Sequence, residues 1–136
     1  MDVTAGLEFL TTHHRVVLAT RRSDGRTQMS PVNAGVVDGA VVISSRAMLA
    51  KVANLRHRPE ASVLVQSDGF YGPWVQLDGP AEIVDQSAAG TLDLLEQVYR
   101  SISGEHPDWD DYRAAMVRDE RVVIRIRPQR ASGALK

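Results

Sequence analysis

The sequence has no cysteine, few aromatic residues and no long apolar run. The absence of cysteine excludes disulfide bonds, thiolate catalysis and cysteine-ligated metal. No stretch approaches the roughly 20 apolar residues of a membrane-spanning helix, so no membrane association is expected. The net charge of −1 gives little electrostatic support for binding to nucleic acid. The first residues lack the features of a signal peptide, and a cytoplasmic location is therefore expected.

The length and the turn signals indicate one small β-rich domain. A chain of 136 residues, 43% of them hydrophobic, is long enough for a single core, so we predict one domain over residues 1–136. Four Asp-Gly pairs punctuate the chain, and this pair favours hairpin turns because such turns need positive φ. The pairs begin at Asp24, Asp38, Asp68 and Asp78.

The segments around these pairs predict strands and helices. The strand-like runs are 15–20, 27–37, 40–44, 61–66, 71–77 and 121–127, and residues 80–84 continue the fifth run past a bend at Asp78-Gly79. Helices are predicted over 4–14 with Thr4 as the cap, over 85–103 and over 108–118. Six or seven antiparallel strands with flanking helices predict a mainly β fold, and closure into a small barrel would remove exposed edges.

Residues 44–59 carry the clearest functional signal. They predict a short helix that opens with Ser44 and Ser45, carries Lys51 in its first turns and stops before Pro59. A helix N-terminus has free N–H groups and a positive dipole end, and a nearby lysine adds a full charge. The segment therefore predicts a phosphate site. The alternative is a solvated lysine on a surface helix, and the residue spacing alone supports both interpretations equally.

Other candidate sites have weaker signals. His13 and His14 are adjacent on a predicted helix and point in different directions, so no metal site is predicted. His106-Pro107 is interpreted as a helix break. Trp74 belongs to an aromatic cluster with Phe70 and Tyr71 that either packs in the core or provides a flat wall for a planar cofactor.

Three segments together resemble a known family. They are Val17 to Thr20 followed by residues 24–32, the pattern Lys51-x-x-x-Leu55-x-x-x-Pro59 followed by residues 61–65, and residues 99–116. Their order and spacing resemble the flavin- and deazaflavin-binding split β-barrel family related to pyridoxamine 5′-phosphate oxidase. Residues 99–116 are most similar to its actinobacterial branch, which uses coenzyme F420. The resemblance runs over roughly residues 5–127.

The resemblance implies a six- or seven-stranded split barrel and a homodimer with two cofactor sites at the subunit interface. It implies that Lys51 takes the cofactor phosphate, that Gln28 and Ser30 meet the deazaflavin edge, and that Ser44 and Ser45 lie under the ring or linker. Asn54 follows one helical turn after Lys51, and Trp74 of the neighbouring subunit walls the pocket. Leu49 is a departure, because relatives often carry a polar or basic residue there, and one phosphate contact is lost.

The implied activity is hydride transfer from reduced coenzyme F420 to an electron-poor unsaturated small molecule. The cofactor carries the chemistry, and the protein binds, orients and excludes water. No side chain is identified from the sequence as a catalytic acid, and water can supply the proton. Two alternatives stay open. One is an FMN-dependent oxidoreductase that uses the same Lys51, and the other is a deazaflavin-binding carrier without catalysis.

Overall fold

The computed structural model describes residues 1–136 and contains four α-helices and eight β-strands. The strands are β1 (Arg15–Arg21), β2 (Thr27–Asn33), β3 (Gly35–Val37), β4 (Ala40–Arg46), β5 (Glu60–Gln66), β6 (Trp74–Val84), β7 (Arg121–Ile126) and β8 (Arg130–Ala134). The helices are α1 (Val3–Leu10), α2 (Ala50–His57), α3 (Thr91–Ser103) and α4 (Trp109–Arg118).

The strands form one antiparallel, curled sheet with the order β2-β1-β5-β6-β7-β4-β3, and β8 also pairs with β6. This half-barrel with flanking helices confirms the predicted mainly β split-barrel fold. The predicted run 27–37 is two strands, because the chain leaves β2 after Asn33 and begins β3 at Gly35. The C-terminal residues add β8, which the sequence did not predict.

Strand β6 joins the two halves of the sheet. Residues 74–80 pair with β5, whereas residues 81–84 pair with β7. Asp78-Gly79 therefore lies inside one continuous strand, and residues 80–84 continue that strand as predicted, so this Asp-Gly pair forms no hairpin turn. Gly79 is required there for another reason, since a Cβ atom would overlap the carbonyl group of Arg127. Asp38-Gly39 does form a two-residue hairpin turn between β3 and β4, with both φ angles positive.

The two halves of the sheet differ in how they are covered. In β4 and β7 nearly every residue is buried, because the inner face packs in the main core and α3 covers the outer face at Val42 and Val123. In β1 and β5 burial alternates strictly, with Leu18 and Val63 inside. No helix of the chain covers the outer face of this second half.

The helix ends differ from the predicted boundaries. Helix α1 is capped by Asp2, whose carboxylate accepts from the N–H of Thr4, so Thr4 is not the cap. Helix α3 begins only at Thr91, and Gly104 ends it as predicted. Asp108 caps α4, and its side chain accepts from the N–H of Asp111. None of the helices is long and apolar enough to span a membrane.

Candidate functional site

A cavity of about 520 Å³ lies between the start of α2, the ends of β2 and β4, and the α3–α4 pair. This volume lies within the ~300–1,000 Å³ typical of small-molecule sites. Apolar side chains of α3 and α4, among them Val98, Ile102 and Met116, line one side. Polar and charged side chains line the rest, and they include Lys51, His106 and Arg121.

The start of α2 is prepared for an anion. Leu49 is the N-cap and provides no side-chain acceptor, and the backbone N–H groups of Ala50 and Lys51 have no protein partner. Lys51 is the second residue of the helix, and its side chain lines the cavity. Leu49 lines it as well and is 39% exposed. The predicted combination of a helix N-terminus and a lysine is therefore present, without a competing cap.

Ser44 and Ser45 line the same cavity, but they do not open the helix. Both belong to β4, which continues to Arg46, so the prediction of a helix beginning with these hydroxyls was wrong. The strand extends this far because β7 pairs with it up to Arg46 opposite Arg121. Ser45 is nearly buried, and its hydroxyl donates to the carbonyl oxygen of Arg46 at 3.2 Å.

Three aromatic side chains, Tyr99, His106 and Tyr112, line the cavity and pack with Trp109 in one aromatic group. His106 stacks on Tyr112 with ring centroids 5.4 Å apart and an interplanar angle of 15°. The hydroxyl of Tyr112 donates to the carbonyl oxygen of Leu95 at 2.9 Å. Burial raises the pKa of Tyr112, against the opposing effect of the Arg121 charge, so the tyrosine remains a neutral donor.

Several residues of this cavity were not assigned to the site from the sequence, and His106 and Arg121 are the most relevant of them. His106 was interpreted as part of a helix break, although its stretch carried the most specific family resemblance. The aromatic spacing from Tyr99 to Tyr112 was the available signal. Arg121 had none, because it looked like one of three alternating arginines on a final strand. Only the pairing of β7 with β4 brings Arg121 to the cavity beside the start of α2.

Two buried side-chain atoms lack any hydrogen-bond partner in the protein: the hydroxyl oxygen of Ser30 and Nε of Arg121. Arg121 lines the cavity, and Ser30 immediately precedes Pro31, which also lines it. Buried polar groups without partners are costly and rare in folded proteins. Ser30 itself does not line the cavity, whereas the partnerless Nε of Arg121 belongs to a lining side chain and indicates that a polar ligand belongs there.

Two other predicted site residues, Gln28 and Asn54, lie outside this cavity. Asn54 donates to the hydroxyl of Thr20 at 3.1 Å, and Thr20 donates to the Gln28 side-chain oxygen at 3.3 Å. This chain of hydrogen bonds connects α2 with β1 and β2. Gln28 and Asn54 are therefore joined to each other through Thr20 but do not line the cavity.

Trp74 lies at the start of β6, away from the cavity within one chain, and is 40% exposed. It belongs to the uncovered outer face of the sheet. Other apolar members of that face are Val17, Met29, Pro31 and Leu64, and the strand register places Val17 between Pro31 and Leu64. Pro31 also lines the cavity, so the uncovered face and the cavity share an edge.

A second, shallow depression of about 980 Å³ lies on this uncovered face. It is mainly polar, and its floor contains Asp78, whose carboxylate accepts hydrogen bonds from Ser62 at 2.5 Å and from Gln76 at 2.9 Å. Arg58 and Arg130 line its rim. Lys51 and the aromatic side chains of α3 and α4 line the smaller cavity and not this depression. No cluster of three or more potential metal-ligating side chains occurs in the structure.

The cavity residues fit a phosphorylated planar cofactor. The cationic end at Lys51 and the free N–H groups of α2 suit a phosphate, and the wall at His106 and Tyr112 suits a conjugated ring.

An antiparallel half-barrel with such a cavity defines the split-barrel class of cofactor-binding folds. The sequence over residues 4–133 matches the family described as pyridoxamine 5′-phosphate oxidase, and the chain belongs to this family.

Solved structures with the same fold include proteins of different activities. A conserved hypothetical protein from Mycobacterium tuberculosis is 24% identical with a TM-score of 0.77, over 98% of this chain and 84% of its own. A protein named F420 reductase is 20% identical with a TM-score of 0.70, over 92% of this chain and 94% of its own. A heme storage protein from Vibrio cholerae is 15% identical with a TM-score of 0.73, over 98% and 96%. At these identities the likeness establishes the fold alone.

Proposed function

We propose that this protein is an oxidoreductase that binds coenzyme F420 and catalyses hydride transfer to an electron-poor unsaturated small molecule. The observation that carries this proposal is the cavity that combines a cationic helix start at Lys51 with an aromatic wall at His106 and Tyr112. Membership of the pyridoxamine 5′-phosphate oxidase family supports a cofactor with a phosphate and a planar ring. The F420 reductase of the same fold, together with residues 99–116, supports the deazaflavin.

Each predicted site residue has a role in this proposal. Lys51 and the free N–H groups of α2 hold the phosphate, and Ser44 and Ser45 lie beside the linker. Ser30 and Gln28 do not line the cavity of one chain, and they meet the ring edge where the cofactor extends beyond it. Asn54 acts through Thr20 by holding Gln28 in place, and is a positioning residue.

When bound in its reduced form, the deazaflavin supplies the hydride. The chain contributes a wall that excludes water and groups that orient the acceptor. His106 offers an N–H donor to an oxygen of the acceptor, because its Nδ1 already accepts from the N–H of Asp108. A donor at that oxygen stabilises the negative charge that develops there as the hydride arrives. Water can then supply the proton.

The proposal includes a cytoplasmic homodimer in which residues 1–136 act as one cofactor-binding domain. The uncovered outer face of β1, β2, β5 and β6 supports the dimer, because α3 covers the outer face of the β4–β7 half and no helix covers the outer face of this half. The shared edge at Pro31 supports a cofactor site at the interface. In such a dimer Trp74 of one protomer reaches the cavity of its partner.

Fluorescence titration of the purified protein with F420 and with FMN tests the choice of cofactor. We expect tighter binding of F420. Tighter binding of FMN, or yellow protein that retains FMN through purification, would replace the proposal with an FMN-dependent oxidoreductase. Riboflavin serves as a control for the phosphate contribution, since it shares the FMN ring and lacks only the phosphate.

A carrier without catalysis is the alternative from another class, and the heme storage protein of the same fold supports it. The two functions differ in what happens to bound reduced F420. Oxidation of the reduced cofactor by a panel of enones, quinones and imines, faster with the protein than without it, supports the enzyme. Tight binding with no acceleration by any acceptor supports the carrier.

A further inference from the structure

Arg121 stands out among the arginines of the chain because its Nε is buried and has no hydrogen-bond partner. The side chain lines the cavity that also contains Lys51. Its charge is close enough to Tyr112 to act on that hydroxyl. The fold therefore holds a guanidinium group against the cavity without giving one of its donors a partner.

The strand register adds a second unfavourable feature. Arg121 pairs directly with Arg46 across β7 and β4, and directly opposed residues place their side chains on the same face of a sheet. Like charges in this arrangement destabilise the sheet. Neither arginine takes part in a salt bridge, and neither does Lys51. Three cations thus gather near the end of β4 without an acidic partner.

We infer that Arg121 and Lys51 together form an oxyanion site, in which the guanidinium group binds a phosphate or carboxylate group bidentately. A planar guanidinium matches the two oxygens of such a group, whereas lysine offers a point charge. Asp111 also lines the cavity, so these three side chains together leave one net positive charge. The inference deepens the proposed function, because it assigns a second cation in the same cavity.

The oxyanion has two possible sources, the phosphate of the cofactor and a carboxylate of the substrate. Inorganic phosphate tests the site without either. We expect phosphate to raise the melting temperature of the wild type above its value in chloride of equal ionic strength. Arg121→Gln should weaken phosphate binding at least about tenfold, because one charge-assisted hydrogen bond alone contributes that much and the variant loses both the charge and the bidentate geometry. The phosphate affinity of Arg121→Lys should lie between those of the wild type and Arg121→Gln, because the charge remains and the bidentate geometry is lost.

Arg118→Gln is the matched control, since it removes the same charge from an arginine that is 70% exposed and lies outside the cavity. It should leave phosphate binding unchanged. Without phosphate, Arg121→Gln should melt at or above the wild-type temperature, because the change removes both the partnerless donor and the repulsion from Arg46. This result would show that Arg121→Gln weakens phosphate binding without destabilising the fold.

Two further comparisons identify the source. If the oxyanion is the cofactor phosphate, Arg121→Gln lowers the affinity for FMN about tenfold and leaves riboflavin unchanged. If it is a substrate carboxylate, both flavins bind as before, and the protein loaded with cofactor loses its preference for benzoate over benzamide. Equal binding of phosphate, FMN and benzoate by wild type and Arg121→Gln overturns the inference, even if F420 binds. Phosphate binding that depends on Arg121 supports it, even if no flavin or deazaflavin binds.

Discussion

The backbone N–H of Asp108 donates a 2.9 Å hydrogen bond to Nδ1 of His106. Because a backbone N–H can only donate, the proton of the neutral imidazole lies on Nε2. The carboxylate of Asp108 at the same time caps α4 through the N–H of Asp111. One residue thus begins the helix and fixes the tautomer of a histidine that lines the candidate cavity.

This relationship predicts a selective defect for His106→Phe. The phenylalanine keeps the stacking on Tyr112 and removes the N–H donor. We expect turnover with reduced F420 to fall about tenfold, and the cofactor affinity to stay within about twofold, since a lost hydrogen bond acts on the acceptor. His57→Phe, which changes a histidine on the other depression, is the control. An equal loss in both variants would remove His106 from the mechanism.

Lys51→Ala should weaken cofactor binding without unfolding the protein. A charge-assisted hydrogen bond contributes roughly 1.5–3 kcal/mol, which corresponds to about a tenfold to hundredfold loss of affinity. Arg58→Ala, at the other end of the same helix, should do much less, because the free N–H groups are at the start. Added salt should weaken cofactor binding by the wild type more than cofactor binding by Lys51→Ala, because salt screens the charge that the variant lacks. Equal affinities would mean that Lys51 is only a solvated surface residue.

Light scattering at micromolar concentration should report a dimer, because the outer face around Val17, Leu64 and Trp74 has no cover within one chain. Trp74→Ala should weaken cofactor binding while the circular dichroism spectrum stays that of the folded protein. Phe70→Ala is the matched control, since Phe70 is 80% exposed on the neighbouring loop. A monomer would refute both the dimer and the shared cofactor site.

Gly79→Ala should destabilise the fold by roughly 2–5 kcal/mol, because the added Cβ overlaps the carbonyl group of Arg127 and the backbone must shift. Gly69→Ala is the control, since the nearest atom to its added Cβ is 3.8 Å away. Urea denaturation measures both variants. Similar midpoints for the two would show that β6 adapts at the junction of its two pairings.

The Glu82–Arg125 pair should make stability depend on pH. Arg125 donates from Nε to Glu82 at 2.7 Å, and this hydrogen bond is the main cause that holds the pKa of Glu82 below its usual 4.5. A lowered folded-state pKa gives stabilisation that is complete above the unfolded pKa and is lost as pH falls through the folded value.

Glu82→Gln should therefore lower the free energy of unfolding near neutral pH by up to about 1 kcal/mol, because the glutamate is half exposed. The difference from wild type should shrink below pH 4.5 as the carboxylate becomes protonated. Arg125→Gln should lower the free energy of unfolding by a similar amount. The double variant should lower it by less than the sum of the two single changes. Additive losses at neutral pH would show that the pair is not coupled.

The sequence by itself determined the local structure. Alternating apolar residues predicted the strands, Gly104 predicted the end of α3, and Asp38-Gly39 predicted a hairpin, because each depends on backbone preferences within a few residues. The position of Lys51 in the first turns of a helix was predicted for the same reason, although that helix begins at Ala50 and not at Ser44. The reason for a glycine at position 79 could not be predicted, since the sequence does not reveal that another chain segment crosses closely at Gly79.

Only the tertiary structure decided which of these residues share a cavity. Ser44 and Ser45 belong to β4 because β7 pairs along it, and that same pairing brings Arg121 next to the start of α2. His106 reaches the cavity because α3 and α4 pack against each other and stack its ring on Tyr112. Such placements arise from contacts between residues far apart in the chain, which local propensities do not encode. The helix that carries Lys51 is thus a local property, whereas its first residue and its partners Arg121 and His106 are properties of the fold.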